Sequence, residues 1–263
     1  MSSRQQQKEK ARAEREARER ADAQAQQRRK RVQQLGAVLA VAVVVVVVLV
    51  LVSQGGKDKP NASNGGAVAG ASDARAMLAG IAQKGTSLGD PNAPVVMTEF
   101  ADLQCPFCKQ YTLDVLPTVV QNYVRTKRLR LEIRIRNFLG PDSDVAARAA
   151  NAAATRNRLW NFIDVFYRNQ GTEDSGYVKP AFLRRIATAA GVSPQLVVDG
   201  STSAAYEKPV KVAEAEATAA GLTSTPSFLI GPKGGKAKPL SFSALTVDAF
   251  TQAIDPQLKA LAQ

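Results

Sequence analysis

The only two cysteines of this 263-residue chain, Cys105 and Cys108, are separated by two residues. They stand where an apolar, strand-like run (Val95, Val96, Met97, Phe100) gives way to a helix-like one. A chain written this way must deliver a dithiol from a strand to a helix N-terminus. There the free backbone N–H groups and the helix dipole favour a thiolate over a thiol. Pro106 falls in the first helical turn, where its missing N–H costs nothing. Leu113, Val115, Leu116, Val119, Val120, Tyr123 and Val124 then recur at helical spacing to about Lys127, and Pro117 predicts a kink in mid-course. A purely stapling disulfide explains the pair poorly. Closing a four-residue loop removes only about 2 kcal/mol of unfolded-state entropy, against about 3 for fifteen residues. The spacing therefore points to redox chemistry.

Composition removes several other function classes. The chain has no histidine, which excludes His-based triads, Cys–His dyads and His-ligated metals. With two cysteines, a tetrahedral zinc site would need carboxylates for half its ligands. No metal or other cofactor is expected. The net charge of +12 suggests a nucleic-acid binder at first sight. Before Leu35, however, eleven Lys and Arg face five Asp and Glu, so half of the excess sits in a short tail. No nucleic-acid partner is expected.

The N-terminal third is organised by charge and hydropathy. Residues 1–34 form a basic tail, with Glu14–Arg18 and Glu16–Arg20 at helix-supporting spacing. Leu35 to Val52 is eighteen residues without a charge or a hydrogen-bonding side chain, about 27 Å as a helix and close to the bilayer's hydrocarbon thickness. The apolar run is too long and the preceding region too extended for a cleaved leader. A retained single transmembrane helix at 35–52 in the lipid bilayer is expected. Its basic flank would keep the N-terminus cytoplasmic and place everything after Val52 outside. Residues 53–72, rich in Gly, Ser and Asn, read as a flexible linker to a folded domain over 73–263.

Within that domain, Leu129–Phe138 alternates strictly, with Leu129, Leu131, Ile133 and Ile135 on one face and an arginine row on the other. It reads as a half-buried strand with a solvated arginine face. Residues of about 140–221 follow a helical pattern and are too long for a connection, so they read as an inserted subdomain. Trp160 lies in an apolar helical stripe there and reads as core. Ser227–Ile230 and Ala237–Phe242 read as a hairpin, and Thr246–Leu261 as a closing helix.

The order strand, C-x-x-C helix, strand, helical block, Thr-Pro, hairpin, helix resembles the α/β thioredoxin-like fold. The inserted helical subdomain resembles the DsbA-like branch of thiol–disulfide oxidoreductases, specifically its membrane-anchored actinobacterial-type members. The resemblance covers about residues 86–263 and rests on GDPNAPVVMTEFADLQCPFC, on TSTPSFLIG and on the alanine-rich helix running into LWNFIDVFY. It implies that Cys105 and Cys108 are catalytic, with Glu99 as the buried carboxylate beneath them. It also implies that Pro226, after Thr225, is the cis-proline opposite the dithiol, and that Thr225, Pro226 and Phe107 meet substrate. The implied partners are exported proteins with free cysteines and a membrane redox partner that recycles the dithiol. The sequence departs from the branch at Phe107, where its oxidases often carry a histidine, and at Leu222-Thr223-Ser224. The leading expectation is an extracytoplasmic disulfide oxidase. A reductase or isomerase, and a non-enzymatic thioredoxin-like binding module, stay open.

Overall fold

The structure, a computed structural model, describes residues 67–261. The expected anchor at 35–52 and the tail before it lie outside those residues. Among the described residues no helix is long and apolar enough to cross a membrane.

A six-stranded sheet carries the domain, in the order β1-β2-β4-β3-β5-β6. The strands are β1 (Gln83–Lys84), β2 (Ser87–Leu88), β3 (Val95–Asp102), β4 (Leu129–Arg136), β5 (Ser227–Pro232) and β6 (Lys238–Pro239). The central pair, β3 and β4, is parallel from Val95↔Leu129 to Asp102↔Arg136, and the other pairs are antiparallel. As the central strand, β3 is apolar through most of its length, with Val95, Met97, Phe100 and Ala101 all buried. It runs two residues further than its apolar run suggests, to Asp102, because Asp102 stays paired with Arg136 on β4.

The chain enters through α1 (Ala71–Leu78). Residues ahead of it are already tied down: Ala69 N–H donates to Asn169 Oδ1, and Asn169 Nδ2 donates back to Ala69 O, both at 3.0 Å. Helix α2 spans residues 106–124 without a break. It begins as the α-helical turn Pro106–Gln110 and widens into π-helical turns at Tyr111–Val115 and Val120–Val124, on either side of Leu116–Val119. The first widening answers Pro117. A proline inside a helix removes one hydrogen bond and crowds the carbonyl four residues back. Shifting Leu116 N–H to Tyr111 O, five residues back, absorbs that mismatch just ahead of the ring.

Between β4 and β5 the chain makes α3 (Pro141–Ala154), α4 (Leu159–Arg168), α5 (Pro180–Ala190), α6 (Pro194–Thr202) and α7 (Glu207–Ala219). The alanines of α3 permit a close approach: a Cβ on Gly200 of α6 would lie 2.4 Å from Ala152 Cβ. Helix α4 supplies the bulk, with Trp160, Phe162, Phe166 and Tyr167 all buried. Trp160 is core as its pattern implied, and its Nε1 donates to Thr86 O at 3.2 Å.

The arginine face of β4 is not the solvated row its alternation suggests. Helix α7 covers it, and Arg134 and Arg136 pair with Glu216 and Glu214 at 2.7 and 2.8 Å. Alternation reports that one face differs from the other, but not what covers it. Chain closure comes from α8 (Val247–Leu261), whose Phe250 joins Tyr111 of α2, Phe228 of β5 and Phe242 in an aromatic cluster. The hairpin is shorter than its pattern suggests, since only Lys238–Pro239 pairs with β5. Beyond Pro239, which has no N–H to give, the contact continues as Leu240 N–H donating to Phe228 O at 2.9 Å.

Candidate active site

The site is built where β3 ends. Asp102 carries both its carboxylate oxygens inward, and a turn of two residues brings the chain to Cys105. Asp102 Oδ1 accepts from Gln104 N–H at 2.9 Å and from the Ser143 hydroxyl at 2.7 Å. Oδ2 accepts from the N–H groups of Phe138 and Leu139 at 3.0 and 3.1 Å. Burial pushes the Asp102 carboxyl up, and these hydrogen bonds oppose the shift. One side chain thus fixes the end of β3, the start of the dithiol loop, the end of β4 and the start of α3.

The thiols then take unlike environments. Cys105 precedes the first residue of α2 in extended conformation, with Pro106 in the first helical position. Its sulfur lies 3.3 Å from Thr225 O, to which the neutral thiol donates. The Cys105 pKa is lowered from 9.0 to about 6. The largest cause is the hydrogen bond from the Cys108 thiol. The Thr225 side chain and the backbone N–H groups of Cys108 and Phe107 act in the same direction, against burial. Cys108, fully buried, moves the other way: burial and the neighbouring Cys105 and Glu99 charges push its thiol well up. Both sulfurs are free thiols in this structure.

Glu99 lies on β3 in register with Ile133 on β4 and Phe228 on β5. Phe228 is in edge contact with Tyr111, so Glu99 shares the face of the sheet that α2 covers. Its pKa is raised from 4.5 to about 8, first by burial and then by the charge on Cys105. Its Oε1 is buried without a hydrogen-bond partner. A carboxyl so placed is neutral near pH 7 and can exchange a proton within the site.

The Thr225–Pro226 peptide bond is cis. The structure therefore brings Cys105, Cys108, Glu99 and Thr225 together, with Pro226 adjoining. Phe107 stands apart from them, its side chain in solvent at 59 % exposure. Among the described residues no three metal-ligating side chains converge.

Several residues of the site had no motif to announce them. Tyr167 OH donates to Asp102 O at 3.1 Å, and Gln170 Nε2 donates to Leu103 O at 2.8 Å and Cys105 O at 3.2 Å. Gln104 Nε2 donates to Ser143 Oγ, and its Oε1 accepts from Asp174 N–H at 2.7 Å. Of these, only Asp102 had a local signal: an aspartate two residues ahead of the N–H it binds forms an Asx turn.

A parallel strand pair flanked by antiparallel strands, with a dithiol at the helix following the central strand, defines a thioredoxin-type redox site. The chain belongs to the thioredoxin family, whose profile, described as "Thioredoxin", matches residues 82–255. Over 102 residues it is 32 % identical to the probable disulfide bond formation protein D of Bacillus cereus, covering 38 % of this chain and 47 % of that one. It is 26 % identical over 102 residues to disulfide bond formation protein D of Bacillus subtilis. The matched stretch spans about half the length of these curated relatives. In fold, the chain is similar to oxidised BdbD of Bacillus subtilis (TM-score 0.59, 20 % identity, 68 % of this chain and 97 % of that one). It is likewise similar to α-DsbA1 of Wolbachia pipientis (TM-score 0.56, 22 % identity, 70 % and 94 %).

Proposed function

We propose that this protein is an extracytoplasmic thiol:disulfide oxidoreductase that introduces disulfides into exported proteins through Cys105 and Cys108. The reading is supported above all by the opposed behaviour of the two sulfurs, one poised as a thiolate near neutral pH and the other held as a thiol. Thiol–disulfide exchange needs that division between an attacked sulfur and a buried resolving one.

In the oxidised enzyme a substrate thiolate attacks Cys105 Sγ. A bond forms between the two sulfurs, the Cys105–Cys108 bond breaks, and Cys108 leaves as a thiolate. Neutral Glu99 supplies the proton that Cys108 takes up. A second substrate thiolate then attacks the substrate sulfur of the mixed disulfide, and Cys105 leaves unprotonated, as its lowered pKa allows. Two substrate thiols become a disulfide, and the enzyme disulfide becomes a dithiol. A membrane redox partner of the electron-acceptor class takes the two electrons back, while Cys108 returns its proton to the Glu99 carboxylate. Pro226 and Thr225 offer an edge to extended substrate beside Cys105, and Phe107 an apolar contact.

The helix at 35–52 anchors the chain in this reading, with the thioredoxin-like domain on the outer side. Redox equilibration with glutathione tests the direction of transfer. An oxidase sits well above thioredoxin's potential of about −270 mV, and a value near that figure would make the protein a reductase. A Cys108→Ala variant should trap exported proteins as mixed disulfides on Cys105, and recovering none would favour the binding module. An impermeant thiol label should reach reduced Cys105 in intact cells; labelling only after lysis would reverse the orientation.

A further inference from the structure

Three carbonyl oxygens of the dithiol loop accept from side chains of the helical insertion. Asp102 O accepts from Cys105 N–H at 3.0 Å and from Tyr167 OH. Leu103 O accepts from Gln170, and Cys105 O accepts from Gln170 and from Lys109 N–H at 3.1 Å. The donors Tyr167 and Gln170 both belong to the inserted helical block, at the end of α4 and just beyond it. Gln170 is itself set by its own N–H, which donates to Tyr167 O at 3.2 Å. A primary amide has two N–H donors, and here both carbonyls flanking the approach to the nucleophile meet that one group. Their negative ends are drawn toward the insertion, and the N–H groups of Phe107 and Cys108 are left to face the Cys105 sulfur. Phe107 offers no side-chain donor of its own, so the orientation of the backbone carries more of the electrostatics.

We propose that Gln170 is a positioning residue through which the helical insertion sets the reduction potential of the Cys105–Cys108 pair. The proposal rests on the oxidoreductase reading above and adds to it the element that tunes the site. Without the Gln170 amide, Cys105 O keeps only Lys109 N–H and Leu103 O loses its side-chain donor, so that Leu103 O either turns toward the sulfur or draws in water. Both outcomes weaken the electrostatic preference for an anion on Cys105 and so make the disulfide harder to reduce.

The test compares Gln170→Leu, Gln170→Glu and Asn169→Ala with the parent full-length protein. Each is equilibrated with glutathione redox buffer, and each is titrated for Cys105 alkylation against pH. Gln170→Leu should shift the glutathione equilibrium about tenfold toward the disulfide and move the alkylation midpoint upward. Gln170→Glu, with an acceptor and a charge in place of the donors, should shift both further. Asn169→Ala cuts the clamp on Ala69 one residue away; it should lower thermal stability and leave both redox readouts unchanged. Equilibria within twofold of the parent for both Gln170 variants, with stability alone reduced, would overturn the proposal and leave Gln170 a structural brace. If Gln170→Leu does not fold, Gln170→Asn, which keeps the donors but shortens the reach, is read by the same criteria. A parent that fails to exchange with glutathione removes the oxidoreductase reading, whereas the alkylation profiles still decide the role of Gln170.

Discussion

Glu99 stands directly opposite Phe228 in the ladder between β3 and β5, a carboxyl paired with a phenyl ring in the centre of the sheet. Its pKa of about 8 in the fold, against an ordinary glutamate value of 4.5, has a definite sign for stability. Below pH 4.5 the carboxyl is neutral in folded and unfolded chains alike. From there to about pH 8 the folded chain holds a proton that the unfolded chain has lost, so stability falls as pH rises. Glu99→Gln removes that dependence. Urea unfolding of the reduced proteins should show the variant gaining on the parent across pH 4.5–8 and levelling above it.

The Cys105 thiolate should appear with a midpoint near pH 6, read by iodoacetamide alkylation or by thiolate absorbance, while Cys108 stays unreactive. Because the Cys108 hydrogen bond is the largest cause of the lowered value, Cys108→Ala should raise the midpoint. Cys108→Ser, which keeps a donor, should raise it less.

Asp102→Ala would remove the acceptor of the buried Gln104 N–H and Ser143 hydroxyl and of the part-buried N–H groups of Phe138 and Leu139. At about 1–3 kcal/mol for each buried group left without a partner, and less where water reaches, the loss should be about 3 kcal/mol. Denaturant unfolding measures it. Asp102→Asn, which keeps one acceptor oxygen, should lose less.

Arg136 grips Glu214 with two hydrogen bonds, Nε to Oε1 at 3.1 Å and Nη2 to Oε2 at 2.8 Å, and lies 4.7 Å over the Phe138 ring. Lysine cannot reproduce that fork or stack. Arg136→Lys should cost about 1–2 kcal/mol of stability at unchanged charge, again read from denaturant midpoints.

The elements that organise the site were legible because each follows from a local rule. Strand alternation in β4, helical spacing in α2 and Pro106 at the helix start all depend on near neighbours in sequence. Glu99 and the Thr225–Pro226 pair were found through resemblance, and the geometry sets them beside the dithiol. What escaped is what depends on distant partners. Gln170 and Tyr167 are ordinary residues at a helix end, and nothing near them in sequence says that their donors reach the dithiol loop. The arginine face of β4 was misjudged for the same reason: the helix that covers it begins some 70 residues further on, at Glu207. Pro117 was expected to bend its helix, and the structure widens the preceding turn instead.

The contact between Cys105 and Thr225 spans 120 residues of chain. A polypeptide made from its N-terminus carries the cysteine long before the threonine opposite it exists. In that interval Cys105 has the neighbours its own helix supplies, Cys108 and the N–H groups of Phe107 and Cys108, but neither the insertion nor Thr225. A chain cut short before Thr225 therefore keeps the C-x-x-C pair and loses the lining opposite it, so the finished site exists only once nearly the whole domain has been made.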